Sequence, residues 1–411
     1  MATYQPHSPG VVQTVFRSSR LAYEGYSQPG AVTLGRVDTF LTCADWTKGL
    51  ARIRCADCGH SYFRPFSCKV FHLCPSCDQK RTILYAEYLA EELLLDLPHR
   101  QYVFTIPKIL RSYFRYDWKL FGEVSRLIHE LLSGFFSIAA GETLQCGVVV
   151  SYQTFGEFAH FHSHWHVLVL EGGFDSKNRF VSLPLGADRQ LVKAWRESLL
   201  RFFQKRKLID QNRADLIRSW SHFGFSVESE TRLRTKLERE ALGQYIVRGP
   251  VSEQKLTYDR EVDTVTWTAS TKGYYKGQTE TFKGYEFMDR LVTHLPPRRM
   301  QLVRRYGIYA GKVRAQWPDR PELWSVTPPK WVEGHIKGRE PDALDMAEVP
   351  DTWSRLRRKS WARLLKKIYE VDPFLCPKCG GTMSVVAVIE DGKDLEAIIE
   401  WAGKEVARAP P

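Results

Sequence analysis

The segment His160-Phe161-His162-Ser163-His164-Trp165-His166 places histidine at every second position. On a β-strand alternate side chains share a face, so the run predicts a strand with its imidazoles projecting to one side. Each buried imidazole needs a polar partner, which makes metal binding a better account of this face than core filling. One ion does not reach all four. Cα atoms two positions apart are ~7 Å distant and those four apart ~13 Å, so an adjacent pair should hold the ion. His164 and His166 are the expected pair, because they lead directly into the apolar run Val167-Leu168-Val169-Leu170. The third ligand is expected from the preceding strand, where Gln153 lies within the strand and Glu157 nearer the turn; Gln153 is the better placed, and His162 joins the set if the strand bends. Three ligands with open positions describe a catalytic centre, and imidazole with an amide oxygen admits manganese or magnesium. Such an ion polarises a phosphodiester.

The cysteines make a second pattern. Cys55-x-x-Cys58 and Cys74-x-x-Cys77 are separated by fifteen residues. Two such knuckles close a tetrahedral thiolate site, so one structural zinc on Cys55, Cys58, Cys74 and Cys77 is expected, with Cys68 or His72 as possible substitutes for a ligand. Arginines, lysines and aromatic residues surround these pairs, a mixture suited to phosphates and stacked bases. Cys376-x-x-Cys379 has no second pair after it, and the readings of a shared metal and of simple packing both stay open. Cys43 and Cys146 read as ordinary buried or free thiols. An odd total of nine cysteines argues against a disulfide framework.

The 411 residues suit two or three domains, and the formal net charge of +12 points to a polyanionic partner. No uncharged apolar stretch approaches the ~18 residues of a membrane span. The opening MATYQPHSPG lacks the pattern of a secretory signal, and a cytoplasmic, nucleoid-associated protein is expected. Strand-like stretches (QYVFTIP, CGVVVSYQTF, HSHWHVLVL) alternate with helical periodicity over Leu120–Phe136, Arg189–Leu208 and Leu233–Val247. Pro250 stops the last of these, and strand-like KLTYD and TVTWTA follow. An amphipathic helix is expected over Ser360–Val371, then a short strand in MSVVAVIED. The mixture predicts an α+β fold with an antiparallel sheet.

A metal that clamps phosphate needs a nucleophile, and Tyr245, near a helix end beside Arg248 and Lys255, is the candidate. A histidine–hydrophobic–histidine motif followed by a helical tyrosine resembles the HUH endonucleases. Five stretches together are similar to the rolling-circle insertion-sequence transposases of the IS91 type and its common-region relatives. They are RIRCADCGHSYFRPFSCKVFHLCPSCDQKR, LPHRQYVFTIPKILRSYF, YQTFGEFAHFHSHWHVLVLEGGF, GQYIVRGPVSEQKL, and HLPPRRMQLVRRYGIYAGKVR with DPFLCPKCGG. The resemblance covers roughly residues 50–390.

It implies a metal-dependent nickase and strand-transferase that moves single-stranded or hairpin DNA ends through a 5′-phosphotyrosine, with His164 and His166 as ligands and Tyr245 as nucleophile. Ala241 stands one helical turn before Tyr245, where some members carry a second tyrosine, so this is the single-tyrosine version. Gly249 replaces a proline often found there. The implied organisation is an N-terminal arm (1–40), a zinc-ribbon-like DNA-binding module (41–90), an HUH-type antiparallel-sheet nuclease core with helices (91–300) and a basic C-terminal domain with its CxxC knuckle (301–411). Two rivals stand beside it. A rolling-circle replication initiator or relaxase shares the histidines and tyrosine but not the cysteine module. A non-catalytic zinc-dependent DNA-binding regulator leaves the histidine strand unexplained.

Overall fold

The computed structural model describes residues 10–187, 189–220, 224–229, 231–271, 274–335, 376, 378–390 and 392–406, and the helix expected over Ser360–Val371 lies outside them. The chain forms two units, each assembled from separate stretches: Met1–Lys80 with Gly249–Val292 and Asp345–Pro411, and Arg81–Arg248 with Thr293–Leu344.

The first unit opens with helices α1 (Val11–Ser18), α2 (Arg20–Ser27) and α3 (Ala31–Leu41). These replace the expected arm. Val12, Val15 and Phe16 recur at helical spacing and are buried, and Phe16 meets Phe40 edge-on at 5.3 Å between ring centres. Strands β1 (Leu50–Cys55) and β2 (Ser61–Pro65) pair antiparallel. Helix α4 (Pro75–Tyr88) begins at the second cysteine pair. A separate antiparallel sheet joins β9 (Leu256–Asp259), β10 (Thr264–Thr268) and β11 (Thr279–Lys283), followed by α10 (Gly284–Val292). These strands thus belong to the first unit, although they were expected within the nuclease core. Strand β13 (Met383–Ile389) pairs antiparallel with β1, giving the order β13-β1-β2.

The second unit is built on an antiparallel sheet of order β12-β4-β5-β3-β7. Its strands are β3 (His99–Thr105), β4 (Gln145–Phe155), β5 (Phe161–Phe174), β7 (Ser226–Glu228) and β12 (Val303–Gly307). β6 (Phe180–Ser182) and β8 (Arg232–Leu233) pair antiparallel with β5 and β3. β12 comes from the stretch expected to start a separate C-terminal domain. The basic segment supplies an edge strand here because Val303–Gly307 pairs with Gly147–Ser151.

Strand parity divides the sheet into two faces. Tyr102, Phe104, Val148, Val150, Tyr152, Trp165, Val167 and Val169 pack on one side. They meet α5 (Lys108–Tyr116), α6 (Lys119–Ala140), α7 (Arg189–Lys205) and α8 (Gln211–Ser219), whose apolar stripes complete that core. Val149, Leu168 and Leu170 point to the opposite side and pack with Leu242 and Ile246 of α9 (Lys236–Ile246). α9 starts at a capping box in which Thr235 and Glu238 exchange side-chain-to-backbone hydrogen bonds of 3.2 and 2.9 Å.

Trp165 is fully buried between Phe114 and Phe121, and its indole N–H donates to Phe121 O at 3.4 Å. Trp165→Ala should cost ~3–5 kcal/mol, the range for emptying an aromatic site in a packed core. Urea denaturation checks this, and a loss under 1 kcal/mol would mean that β5 is not anchored through this face.

Candidate active site and cysteine centres

Parity on β5 places His164 and His166 on the face opposite Trp165, the face covered by α9. In β4 the same face carries Ser151 and Gln153, which lie directly across from His166 and His164. In β3 it carries Gln101. The imidazoles converge, with His164 Nε2 and His166 Nε2 3.1 Å apart. His164 Nδ1 donates to His162 O at 2.8 Å, and Gln101 Nε2 lies 3.1 Å from His166 Nδ1. Burial pushes His164 down to about 4 and His166 well below the usual imidazole range, with the guanidinium of Arg248 adding to both shifts. Both rings are therefore neutral, the form in which imidazole binds metal.

Helix α9 delivers Tyr245 to the same place. Its ring lies 5.1 Å from that of His166 at 78°, and the Arg248 guanidinium sits 4.7 Å from the tyrosine ring centre. Tyr245 is 44% exposed whereas its neighbours Ile246 and His166 are buried, so the phenol is accessible to a large substrate. The end of α9 is gripped by β4. Ser151 Oγ donates to Ile246 O at 2.6 Å, and Gln153 Nε2 donates to Tyr245 O and Ile246 O at 3.2 Å each. Carbonyls only accept, so the amide nitrogen of Gln153 must face them, and its buried Oε1 is left without a hydrogen-bond partner.

The other candidates fall away from this cluster by degrees. His162 lies next to His164, with ring centres 4.8 Å apart, and burial lowers it to about 3. His160 precedes β5 and caps the 3-10 turn Glu157–Ala159, so the shared face begins after it; Glu157 sits in that turn. Lys255 belongs to the first unit, where its Nζ donates to Ser270 Oγ at 2.6 Å. Sequence reasoning missed Gln101 and Arg111. Gln101 was legible only as one residue of a strand, and Arg111, whose charge helps lower His162 and His164, as one residue of a helix.

A concentration of cations lies elsewhere in the second unit. Lys119, Arg126, Arg298, Arg299 and Arg304 line a cavity of about 480 Å³ together with Glu123.

The cysteines do not form the site expected of them. Cys55 and Cys58 are not joined to Cys74 and Cys77. Instead Cys43, Cys68, Cys74 and Cys77 make one group and Cys55, Cys58, Cys376 and Cys379 another, the ligand atoms of each within 4.8 Å of one another. Cys68, not His72, completes the first group, and Cys43 is no ordinary thiol. The physical reason is that Cys43, just after the end of α3, lies beside the start of α4: Cys74 Sγ is 3.5 Å from Cys43 Sγ. Cys146 is buried alone in the sheet core, and desolvation raises its thiol to about 11.

Comparison with known proteins finds two family matches along the chain. A family described as transposase zinc-binding domain matches residues 15–106, and one described as putative transposase matches residues 147–316. The transposase for insertion sequence element IS801 of Pseudomonas savastanoi pv. phaseolicola is 24% identical over 370 residues, covering 86% of this chain and 83% of the relative. No solved structure matches. Among the described residues no helix is long and apolar enough to cross a membrane. The zinc-binding match, the transposase match and the relative aligned along most of its length together support an IS91-family transposase.

Proposed function

We propose that this transposase nicks and joins single-stranded DNA at an HUH-type site, using Tyr245 as nucleophile and a divalent cation, magnesium or manganese, on His164, His166 and Gln153, in a rolling-circle route. The observation that carries this reading is the packing of Tyr245 against His166, itself 3.1 Å from His164 through facing Nε2 atoms. Two ligands at right angles, each about 2.1–2.2 Å from an ion, are separated by about 3 Å, which matches. The unpartnered, buried Oε1 of Gln153 fits the third position, and the mixed nitrogen and oxygen donors suit such a cation.

An ion held there supplies Lewis-acid polarisation of the scissile phosphate. The protein's own groups do the rest. The Tyr245 oxygen attacks phosphorus, the phosphorus–O3′ bond breaks, the phenolic proton passes to water, and the departing O3′ takes a proton to become a free hydroxyl. The new phosphotyrosine retains the 5′ phosphate, so a later 3′ hydroxyl rejoins the strand by the reverse exchange without ATP. Arg248, over the tyrosine ring, favours the developing phenolate and the phosphate charge. Gln101 orients His166, whose Nδ1 lies 3.1 Å from the Gln101 amide nitrogen. One tyrosine, with Ala241 a turn earlier, performs one cleavage at a time.

Tyr245→Phe should abolish the covalent protein–DNA adduct while DNA affinity stays within about twofold, because only the attacking oxygen is removed. Gel analysis of labelled single-stranded substrate checks this, and a 5′-linked adduct on the Phe variant would assign the attack to another tyrosine.

His164→Ala and His166→Ala should each eliminate cleavage, whereas His160→Ala should be mild. Gln101→Leu should weaken manganese binding about 10–100-fold, as loss of a ligand's supporting hydrogen bond does. Manganese titration and cleavage rates test the set; equal loss at His160 would move the centre along the strand.

The cationic cavity supplies a phosphate track in this reading. Arg126→Ala, Arg298→Ala and Arg299→Ala should each reduce the slope of log affinity against log salt by ~0.7 for single-stranded DNA. Fluorescence anisotropy at several salt concentrations measures it, and unchanged slopes would place the DNA path elsewhere.

A further inference from the structure

We propose that the chain carries two structural zinc ions, and that the second occupies a split site in which Cys376 and Cys379 close on Cys55 and Cys58. The zinc-binding family match ends at residue 106, far short of the second pair.

Sulfur geometry is the first support. Cys55 Sγ lies 3.6 Å from Cys379 Sγ, and Cys58 Sγ 3.4 Å from Cys376 Sγ. A disulfide needs about 2.05 Å. Four thiolates about 2.3 Å from a common zinc stand about 3.8 Å from one another, close to what is seen. The other group has the same dimensions, with Cys68 and Cys77 sulfurs 3.7 Å apart and Cys43 and Cys74 3.5 Å apart.

Backbone geometry is the second. The two pairs are built alike, each followed by glycine. Gly59 N donates to Cys55 O at 3.2 Å, and Gly380 N to Cys376 O at 2.9 Å. Cys55 N donates to His60 O at 2.8 Å, and Cys376 N to Gly381 O at 2.7 Å. Both glycines adopt nearly the same left-handed conformation, φ +72° and +73°. Two equivalent turns facing one another, each offering two sulfurs, are the halves of a zinc ribbon.

Strand pairing is the third. β13 runs beside β1 so that Met383 is the register partner of Cys55, and Ala56 N donates to Thr382 O at 3.1 Å. Ile53, Cys55, Cys376 and Met383 form a small buried cluster under the sulfurs. A Cβ on Gly381 would come within 1.9 Å of the Asp57 carboxylate, so the two turns lie against one another. So small an apolar cluster is a weak anchor for a distant segment, and a tetrathiolate metal supplies what it lacks.

Elemental analysis of the purified full chain tests the assignment. The parent should hold about two zinc ions, Cys376→Ser about one and Cys74→Ser about one, one ion for each four-ligand site. Cys58→Ser with Cys74→Ser should remove both ions, whereas Cys58→Ser with Cys376→Ser should remove one. A second measurement avoids variants that fail to fold. In the unmutated protein Cys58 and Cys379, both exposed, should resist iodoacetamide until a chelator is added. Mass spectrometry should then find them labelled together with Cys55 and Cys376. A parent with one zinc, iron in place of zinc, full zinc retention in Cys376→Ser, or rapid labelling of Cys379 with zinc intact would each overturn the proposal.

Discussion

The geometry around Tyr245 depends on two side chains of a neighbouring strand taking up the last carbonyls of a helix. The final turn of an α-helix leaves its carbonyls without intrahelical donors, and a buried helix end must find them elsewhere. Here Ser151 and Gln153 provide them, at Tyr245 O and Ile246 O. The same strand pairs residue by residue with the histidine strand, Ser151 opposite His166 and Gln153 opposite His164. Thus one strand ties the tyrosine to the imidazoles, through its side-chain bonds to the helix end and its backbone pairing with the histidine strand. On the proposed reading, positioning of this kind is what phosphoryl transfer asks of a protein, since little covalent work is left for other side chains.

The histidine strand was the most legible part of the chain, because period two is a property of the strand itself. Once Trp165 is read as core, His164 and His166 must face the other way. The helix of Tyr245 was legible through its periodicity, although its start gave way to the short strand Arg232–Leu233 and the capping box at Thr235. The place of Gln153 within the strand favours it as a ligand, and its packing against the helix end emerges only with the fold.

What sequence did not carry was partnership over long separations. Spacing announces a knuckle but not which other knuckle it meets, and the nearest pair in sequence is not the partner. Cys43 has no local motif at all; it joins its group because α3 ends beside the start of α4. The unit boundaries failed for a similar reason. The chain passes between units at residues 80, 248, 292 and 344, so a contiguous division cannot describe it. The first helices were overlooked because Val12, Val15 and Phe16 span little more than one turn, too short a window for periodicity to register.

The pairing of Cys55 with Cys379 spans 324 positions. Chains emerge from the ribosome N-terminus first at about 5–20 residues per second, so roughly 15–60 s separate the two knuckles during synthesis. Through that interval Cys55 and Cys58 have only half a coordination sphere, and β1 has an open edge where β13 will sit. A message or reading frame cut short before Cys376 yields a protein whose ribbon never closes. In this fold a product truncated at its far end lacks a strand and two cysteines of the unit that its first residues build.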